Sequence, residues 1–364
     1  MHAAHYLYGN VPSQVSLMSG SFFRRILSGC WFIATLYALS ACTDRTDEAA
    51  QFFLRGNVQL QKREYKEAIR FYTEAIEKKS DFADAYSNRG LAKFRDGQVE
   101  AALADFTKAI DTDKDFGAAY LNRADAFLSQ GNAQQALADL QAIGTTYRDS
   151  TFFQTRLGEA YAGLNKQAQA QAAFDKALLL DPANVEALVN RAALAFNQKQ
   201  YDVAKVDLQK ALKLNPNQPE ALNNYALVSA RTKNYTEALA LIDRALSQKP
   251  DQPYYLNNKG YFLLQLNRPA EALPLINEAL RLNNQNAWAH RNLGLYWLRQ
   301  QNAANALSAL QQAERLDASV DQLYTYLGQA QQEAGNKTAA CESWQRGVQT
   351  GDEEAGLLLA KSCR

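Results

Sequence analysis

Small and large apolar residues recur along most of this chain with a fixed period of 34 residues. Each period has a glycine or alanine in a first register, and an alanine follows twelve positions later in all nine periods. The first register comprises Gly56, Gly90, Ala124, Gly158, Ala192, Ala226, Gly260, Gly294 and Gly328. The second comprises Ala68, Ala102, Ala136, Ala170, Ala204, Ala238, Ala272, Ala306 and Ala340. A large residue lies four positions after each of these alanines, at Tyr72, Phe106, Leu140, Phe174, Leu208, Ile242, Ile276, Leu310 and Trp344. A third small register starts at Ala75, lapses at Ile143 and ends at Gly347.

This period predicts one supersecondary unit per repeat, which buries its apolar face only by stacking on its neighbours. The unit is a pair of helices, because small residues are needed where two helix backbones approach closely. The first helix is expected over about the first fourteen residues of each repeat and the second from about the fifteenth to the twenty-eighth. Turn-forming residues lie between them, at Gly97, Gly131, Asn165, Asn234, Asn267, Asn302 and Asn336.

The 34-residue pattern resembles the tetratricopeptide repeat (TPR), and the resemblance covers residues 49–354. Residues 83–113, ADAYSNRGLAKFRDGQVEAALADFTKAIDTD, carry the family pattern nearly completely. The resemblance implies an all-α, right-handed solenoid of nine repeats that start near residues 49, 83, 117, 151, 185, 219, 253, 287 and 321. The third repeat departs most, because Ile143-Gly144 replaces its small-then-large pair, so its second helix is expected to be shortened or shifted. Residues 355–364 are expected to form a capping helix, with Leu357, Leu358 and Leu359 packed on the ninth repeat.

The first 41 residues lie outside the repeats. Arg24 and Arg25 precede an apolar run at residues 26–39, which is too short for a comfortable membrane span. The run ends in Leu-Ser-Ala-Cys42, and a polar tether follows at residues 42–48. This arrangement resembles a bacterial lipoprotein signal peptide, which implies that Cys42 is acylated and becomes the mature N-terminus. An ordinary secretory peptide or a retained short anchor is the alternative.

The lipoprotein resemblance also implies a location. The chain is expected to be exported and anchored in the bacterial envelope through the lipid. Thr43 favours the outer membrane over the inner one. Met18 offers a more compact start for the signal peptide than Met1 does.

Charge and composition exclude several classes of function. The formal net charge is +1, which provides no electrostatic footprint for nucleic acid. None of the three histidines has a cysteine or carboxylate at metal-ligand spacing. We find no nucleophile elbow and no phosphate-binding glycine loop. The sequence therefore predicts a non-enzymatic protein with no catalytic residues, no metal and no cofactor, and it makes no prediction about oligomeric state.

Two of the four cysteines are expected to pair. Cys341 lies about ten residues before a turn near residue 351, and Cys363 lies about eleven after it. Antiparallel helices on either side of that turn would bring the two thiols level. An exported chain meets oxidising conditions, so a Cys341–Cys363 disulfide is predicted, with two packed free thiols as the alternative.

Asparagine recurs on the first helix of six repeats, two positions before the first small register. These residues are Asn88, Asn122, Asn190, Asn224, Asn258 and Asn292. Because asparagine is a mediocre helix former, propensity does not explain it. The amides either bond a neighbouring helix or bind the backbone of an extended peptide. The second interpretation resembles the asparagine ladder of the O-linked N-acetylglucosamine transferase superhelix, where this face lines the concave groove. It does not resemble the carboxylate clamp of chaperone-binding repeats.

Three aromatic residues share this face in repeats seven and eight, namely Tyr254, Tyr261 and Trp288. They are expected to hold an aromatic or apolar side chain of the partner, or to stack on a sugar. Two functions therefore stay open. The first is a lipid-anchored scaffold that binds a protein or peptide partner, and the second is a glycan-binding or glycan-enzyme accessory lipoprotein.

Overall fold

The structure, a computed structural model, describes the backbone of residues 31–363 and the side chains of residues 45–363. Residues 26–30 of the predicted signal peptide core lie outside these residues, whereas residues 31–39 belong to the first helix. The side chains of the whole core and of Cys42 lie outside the described side chains. The described part is all-α, as predicted, and contains nineteen helices with no strand. None of these helices is long and apolar enough to cross a membrane.

The helices follow one another at short intervals. Their bounds are α1 (Trp31–Gln61), α2 (Tyr65–Lys78), α3 (Ala83–Arg95), α4 (Val99–Thr112), α5 (Gly117–Ser129), α6 (Ala133–Tyr147), α7 (Thr151–Gly163), α8 (Gln167–Leu180), α9 (Val185–Asn197), α10 (Tyr201–Leu214), α11 (Pro219–Arg231), α12 (Tyr235–Gln248), α13 (Pro253–Gln265), α14 (Pro269–Leu282), α15 (Ala287–Arg299), α16 (Ala303–Leu316), α17 (Leu323–Glu333), α18 (Lys337–Gln349) and α19 (Glu353–Ser362). Odd-numbered helices up to α17 are first helices of their repeats, and even-numbered helices are second helices.

The chain divides into two compact units, residues 1–190 and 191–364. Within each unit, a first helix packs on its own second helix and on the first helix of the next repeat. No contact joins successive second helices in the described part of either unit. Successive first helices thus form one continuous surface in each unit, which we call the first-helix surface.

The second alanine register and the large register form the interior of each helix pair. All nine alanines are completely buried, and the nine large side chains are at most 1% exposed. The large side chain of the second helix projects onto the small residue of the first. A Cβ added at Gly90, for example, would lie 2.7 Å from Cε1 of Phe106. Glycine is therefore required by space at this position rather than by backbone conformation.

The small residue matches the shape of the large side chain opposite it. All four aromatic residues of the large register, Tyr72, Phe106, Phe174 and Trp344, lie against glycine. Alanine occurs in the first register only opposite the aliphatic Leu140, Leu208 and Ile242. An aromatic ring thus fills the space that an alanine methyl group takes up in three other repeats. In the remaining two repeats, Gly260 and Gly294 lie against the aliphatic Ile276 and Leu310.

The turn between the two helices of each repeat also recurs every 34 residues, with the same backbone conformation. One residue per repeat adopts positive φ, in order Arg63, Gly97, Gly131, Asn165, Lys199, Lys233, Asn267, Gln301 and Gly335. Only some of the predicted turn residues occupy this position. Asn234, Asn302 and Asn336 instead lie one residue later, where their side chains accept a hydrogen bond from a backbone N–H and cap the second helix.

The prediction that the second helix of repeat three is short or shifted is wrong. Helix α6 has 15 residues, one more than α4 in repeat two. Ile143 is 7% exposed and packs with Leu140 and with Phe153 on α7, so the large residue is accommodated against the first helix of the next repeat. The ring of Tyr147 occupies the space that Gly117 leaves free, which supports the additional residue of the helix.

Helix α19 covers the last repeat, and the predicted disulfide is present. Cys341 and Cys363 are bonded, with a Cα–Cα distance of 5.8 Å. Asp352 caps α19 and accepts a hydrogen bond of 2.8 Å from the Thr325 hydroxyl on α17. Ala355 is buried beside Trp344. Leu357, expected to pack on the ninth repeat, is instead 67% exposed.

We predict that Gly158→Ala lowers the free energy of unfolding by about 1–2 kcal/mol. Overpacking against Phe174 costs about 1–3 kcal/mol, which exceeds the roughly 0.5–1 kcal/mol that alanine gains over glycine in a helix. In a Phe174→Leu background the same change is expected to cost much less, because Ala192 already faces Leu208 in repeat five. Urea denaturation of wild type, the two single variants and the double variant measures the coupling free energy between positions 158 and 174. Equal costs in both backgrounds would contradict the packing argument.

Candidate functional site

The asparagine register lies on the first-helix surface, and its amides connect successive repeats. The Nδ2 group donates to the preceding repeat in five cases, namely Asn88 to Asn57, Asn122 to Ser87, Asn190 to Glu159, Asn258 to Asn223 and Asn292 to Asn257. Asn224 instead accepts a hydrogen bond from Asn223 on its own helix. Hydrogen bonding to a neighbouring helix, the first of the two interpretations, thus accounts for the Nδ2 group of five of the six amides.

Exposure separates the six asparagines into two groups. Asn88, Asn122, Asn224 and Asn258 are half-buried, and a partner can reach them. Asn190 is 8% exposed and Asn292 only 1%. These two amides are packing groups in this structure, so a partner reaches them only after a side chain moves. Peptide binding by the register stays a prediction.

Repeat four has an arginine in the asparagine register, at the centre of a buried ion cluster. Arg156 is 2% exposed, and its Nη1 lies 2.8 Å from Glu186 Oε1 and 2.9 Å from Glu159 Oε2. Its Nε lies 2.6 Å from Asp125 Oδ1. The four side chains come from three successive repeats. We call them the Arg156 cluster, and it carries three carboxylates against one guanidinium.

In the Arg156 cluster, burial and the charge of the opposite partner shift each pKa in opposite directions. Burial raises the pKa of Glu159 to about 7, although the Arg156 guanidinium opposes the shift. Burial also raises the pKa of Glu186. For Arg156 itself burial favours the neutral form, but the surrounding carboxylates outweigh it and hold the pKa well above its usual value. Sequence reasoning missed the cluster because its four side chains come from three successive repeats, and only Asp125 and Glu159 share a register.

A second arginine lies on the first-helix surface of unit 191–364 and is enclosed by rings. The guanidinium carbon of Arg291 is 4.8 Å from the ring centroid of Tyr261, 5.2 Å from that of Trp288 and 5.7 Å from that of Tyr326. We call these four residues the Arg291 cluster. The structure brings together two of the three aromatic residues predicted to share this face. Tyr254 lies outside the cluster and is 44% exposed.

Arg291 lacks the partners that a buried guanidinium usually has. It is 4% exposed, and its Nε and Nη1 atoms have no hydrogen-bond partner. The adjacent Asn292 Oδ1 is also buried without a hydrogen bond. Burial raises the pKa of Tyr326, although the Arg291 charge opposes this shift. The rings stabilise the cation but accept no conventional hydrogen bond.

The loop before α17 crosses to other repeats of the same unit. Asp321 Oδ2 lies 2.7 Å from Nη1 of Arg231, which is at the end of α11. Gln322 adopts a φ of 57°, and its Oε1 accepts hydrogen bonds from Tyr261 (3.3 Å) and Tyr326 (3.1 Å). Because this loop is non-helical, α17 begins at Leu323, two residues later than the period would place it. The loop thus binds two phenols of the Arg291 cluster.

The described residues include no group of three or more His, Cys, Asp or Glu side chains arranged to hold a metal ion. His290, the only histidine among the described residues, has its Nε2 atom 3.0 Å from the carbonyl oxygen of Asn284. This contact fits the packing role that the sequence suggests for it.

Sequence profiles of one family match most of the repeat region. A profile described as "Tetratricopeptide repeat" matches residues 87–145, 194–253 and 257–321. A profile described as "TPR repeat" matches residues 56–97, and a further tetratricopeptide repeat profile matches residues 153–184. No curated protein has a sequence that matches this chain.

Several solved structures resemble the chain. The APC/C hetero-tetramer Cut9–Hcn1 matches with a TM-score of 0.63 and 16% identity, over 87% of this chain and 76% of that chain. A tetratricopeptide repeat protein from Parabacteroides merdae matches with a TM-score of 0.52 and 18% identity, over 68% and 98%. Human IFIT1 in complex with m7Gppp-AAAA matches with a TM-score of 0.52 and 20% identity, over 73% and 68%. At these identities the likeness shows the fold alone.

The raised pKa of Glu159 predicts how the pH affects stability. An acid with a higher pKa in the folded protein than in the unfolded chain, about 7 against 4.5, binds its proton more tightly when folded. The free energy of unfolding should therefore decrease as the pH rises from 4.5 to about 7, by roughly 1–3 kcal/mol. Glu159→Gln should remove most of this decrease, and the exposed control Glu271→Gln should not. Parallel pH profiles of wild type and Glu159→Gln, from urea denaturation, would contradict this.

Proposed function

Because this chain belongs to the tetratricopeptide repeat family, we propose that it is a lipid-anchored scaffold of a bacterial envelope that binds an extended peptide on its first-helix surface. Proteins of this family are typically protein-interaction scaffolds and are generally not catalytic. The proposal includes no enzymatic activity. It also includes no nucleic-acid partner, because a formal net charge of +1 provides little attraction for phosphate groups.

The asparagine register carries the proposal. Four of its six amides are half-buried on the first-helix surface, in positions related by the repeat. A side-chain amide has one acceptor oxygen and two donor hydrogens. In five of the six the Nδ2 group bonds the preceding repeat, with one acceptor in four cases and two for the buried Asn292, and this holds the amide in a defined orientation. Amides fixed in this way can bond the backbone of an extended peptide, whatever its side chains are.

The two units present different chemistry next to the register. The Arg156 cluster in unit 1–190 holds three carboxylates and one guanidinium. Unit 191–364 holds Arg291 without a carboxylate within ion-pair distance, and it holds exposed or half-buried aromatic residues at Tyr254, Tyr261 and Trp288. These differences would select among peptides that the asparagines bind without regard to sequence.

The lipid anchor is proposed from the N-terminal sequence. Arg24 and Arg25, the apolar run and Leu-Ser-Ala-Cys42 support an exported protein whose cysteine carries the lipid. The short polar tether that follows would hold the repeats close to the membrane surface. A Cys341–Cys363 disulfide agrees with export, because such bonds persist mainly in oxidising compartments.

We predict that Cys42 is acylated and that the protein fractionates with membranes. In cells labelled with a fatty-acid analogue, the wild-type protein should carry the label and Cys42→Ser should lose both the label and membrane association. Cys30→Ser is the matched control and should behave as wild type, since Cys30 lies inside the apolar run. A Cys42→Ser protein that stays in the membrane fraction, together with an unlabelled wild type, would disprove lipidation.

We predict that replacing Asn190, Asn224, Asn258 and Asn292 together with alanine weakens partner binding tenfold or more. Each lost hydrogen bond is worth about 0.5–1.5 kcal/mol. The partner is first captured by chemical cross-linking to the tagged protein in cells, and its affinity for purified wild type and variant is then measured by calorimetry.

The control for this variant separates binding from stability. Asn223→Ala with Asn257→Ala removes the acceptors of Asn258 and Asn292 but leaves the register amides in place. If the control weakens partner binding as much as the fourfold asparagine variant does, or if neither variant changes binding, the asparagine register has a structural role only. A response to glycan arrays and not to peptides, abolished by Trp288→Ala, would favour a glycan-binding lipoprotein instead.

A further inference from the structure

We infer that Arg291 is a binding site for a carboxylate of the peptide partner. The site consists of the Arg291 cluster and the neighbouring Asn292. The inference rests on the proposed function, because it specifies the chemistry of the peptide bound on the first-helix surface. The partner then carries an acidic side chain, or its chain terminus, at the position that reaches repeat eight.

The unpartnered atoms of Arg291 are the first argument. Its side chain is 4% exposed, yet Nε and Nη1 have no hydrogen bond. Buried charged donors are almost always paired, because an unmet donor is costly. The ring centroids of Tyr261, Trp288 and Tyr326 lie within 5.7 Å of the guanidinium carbon, and these side chains provide no anionic acceptor. A ligand oxygen would complete the hydrogen bonding of this guanidinium.

Two other arginines on first helices, Arg156 and Arg231, have the carboxylate partner that Arg291 lacks. Arg156 has three carboxylates within 2.9 Å. Arg231 has the carboxylate of Asp321 at 2.7 Å. No ion pair of Arg291 occurs among the described residues, and no charged side chain of α13, α15 or α17 lies within ion-pair distance of it. The chain supplies a carboxylate to the first two arginines and leaves the third for a partner.

A carboxylate fits this site better than other anions. The guanidinium is planar and its N–H groups form a fork, with which a planar carboxylate pairs well. The neighbouring Asn292 Oδ1 is a buried acceptor without a partner. Once a covering side chain has moved, this oxygen is free to accept a backbone N–H of the peptide. One acidic residue of an extended peptide offers both groups that the site lacks, a carboxylate for Arg291 and an N–H for Asn292.

Gln322 is the side chain that a ligand displaces. Its Oε1 accepts the hydrogen bonds of two of the three ring hydroxyl or indole groups around Arg291, those of Tyr261 and Tyr326. It is half-buried and adopts a left-handed φ of 57° in the loop before α17. A peptide carbonyl that takes its place on the phenols would bring the neighbouring carboxylate to Arg291.

Three synthetic peptides test the inference on the purified protein. The first is acetyl-Ala-Ala-Glu-Ala-Ala-amide, the second has glutamine for glutamate, and the third is the glutamine peptide with a free C-terminal carboxylate. Dissociation constants come from NMR titration, in which the Nε–H signal of Arg291 is assigned with Arg291→Lys. The glutamate peptide should bind tenfold or more tightly than its glutamine analogue and shift the Arg291 signal. Tight binding of the third peptide would assign the site to a chain terminus.

Two variants control the result. Arg291→Gln should bind the glutamate and glutamine peptides equally, and the exposed Arg268→Gln should keep the wild-type preference. If Arg291→Gln does not fold, the wild-type peptide comparison and the Nε signal decide alone. Equal binding of all three peptides, or none, with an unmoved Arg291 signal overturns the carboxylate site. Equal binding leaves the scaffold proposal intact, and that proposal fails separately if the asparagine variants bind the captured partner normally.

Discussion

Close approach of the two helices in each repeat is the constraint on which this structure depends. The backbones meet at a small residue on the first helix and an alanine on the second, and the space beside them takes one large side chain. These three positions are almost completely buried in every repeat. Because the contact is made within the repeat, a larger side chain at the small position would first displace the large residue opposite it. The presence of glycine opposite every aromatic residue of the large register is a direct consequence.

The same constraint determines where polar residues lie. With the second helix packed on one side, the opposite side of the first helix meets the first helix of the next repeat. Polar side chains in that contact are half-buried or buried, so hydrogen bonds stabilise them there, and Arg291 is an exception. Asparagine meets the requirement in most repeats, and repeat four meets it with the Arg156 cluster. The same residues therefore contribute to stability and to the proposed binding. Each functional test needs a control variant that disturbs only the packing, so that the two effects can be separated.

The fold could be predicted almost entirely from the sequence, whereas the site could be predicted only in part. Three registers kept over nine periods indicate a helix pair with a known contact, and local spacing suffices for that. The partners of the asparagines, by contrast, depend on side-chain directions in the preceding repeat. Asn88 and Asn190 bond residues 31 positions back, and Asn258 and Asn292 bond residues 35 back. The Arg156 and Arg291 clusters draw on three successive repeats each, so no single repeat contains their pattern. The extended helix α6 likewise follows from a contact between Tyr147 and Gly117 that the period does not contain.

Amide hydrogen exchange of the purified protein, with and without its captured partner, tests most directly whether the first-helix surface is the binding surface. Exchange is read by mass spectrometry on peptides from α11, α13 and α15, compared with peptides from α12, α14 and α16. The account predicts that the partner slows exchange in the first helices and leaves the second helices nearly unchanged. Protection confined to the second helices would contradict it.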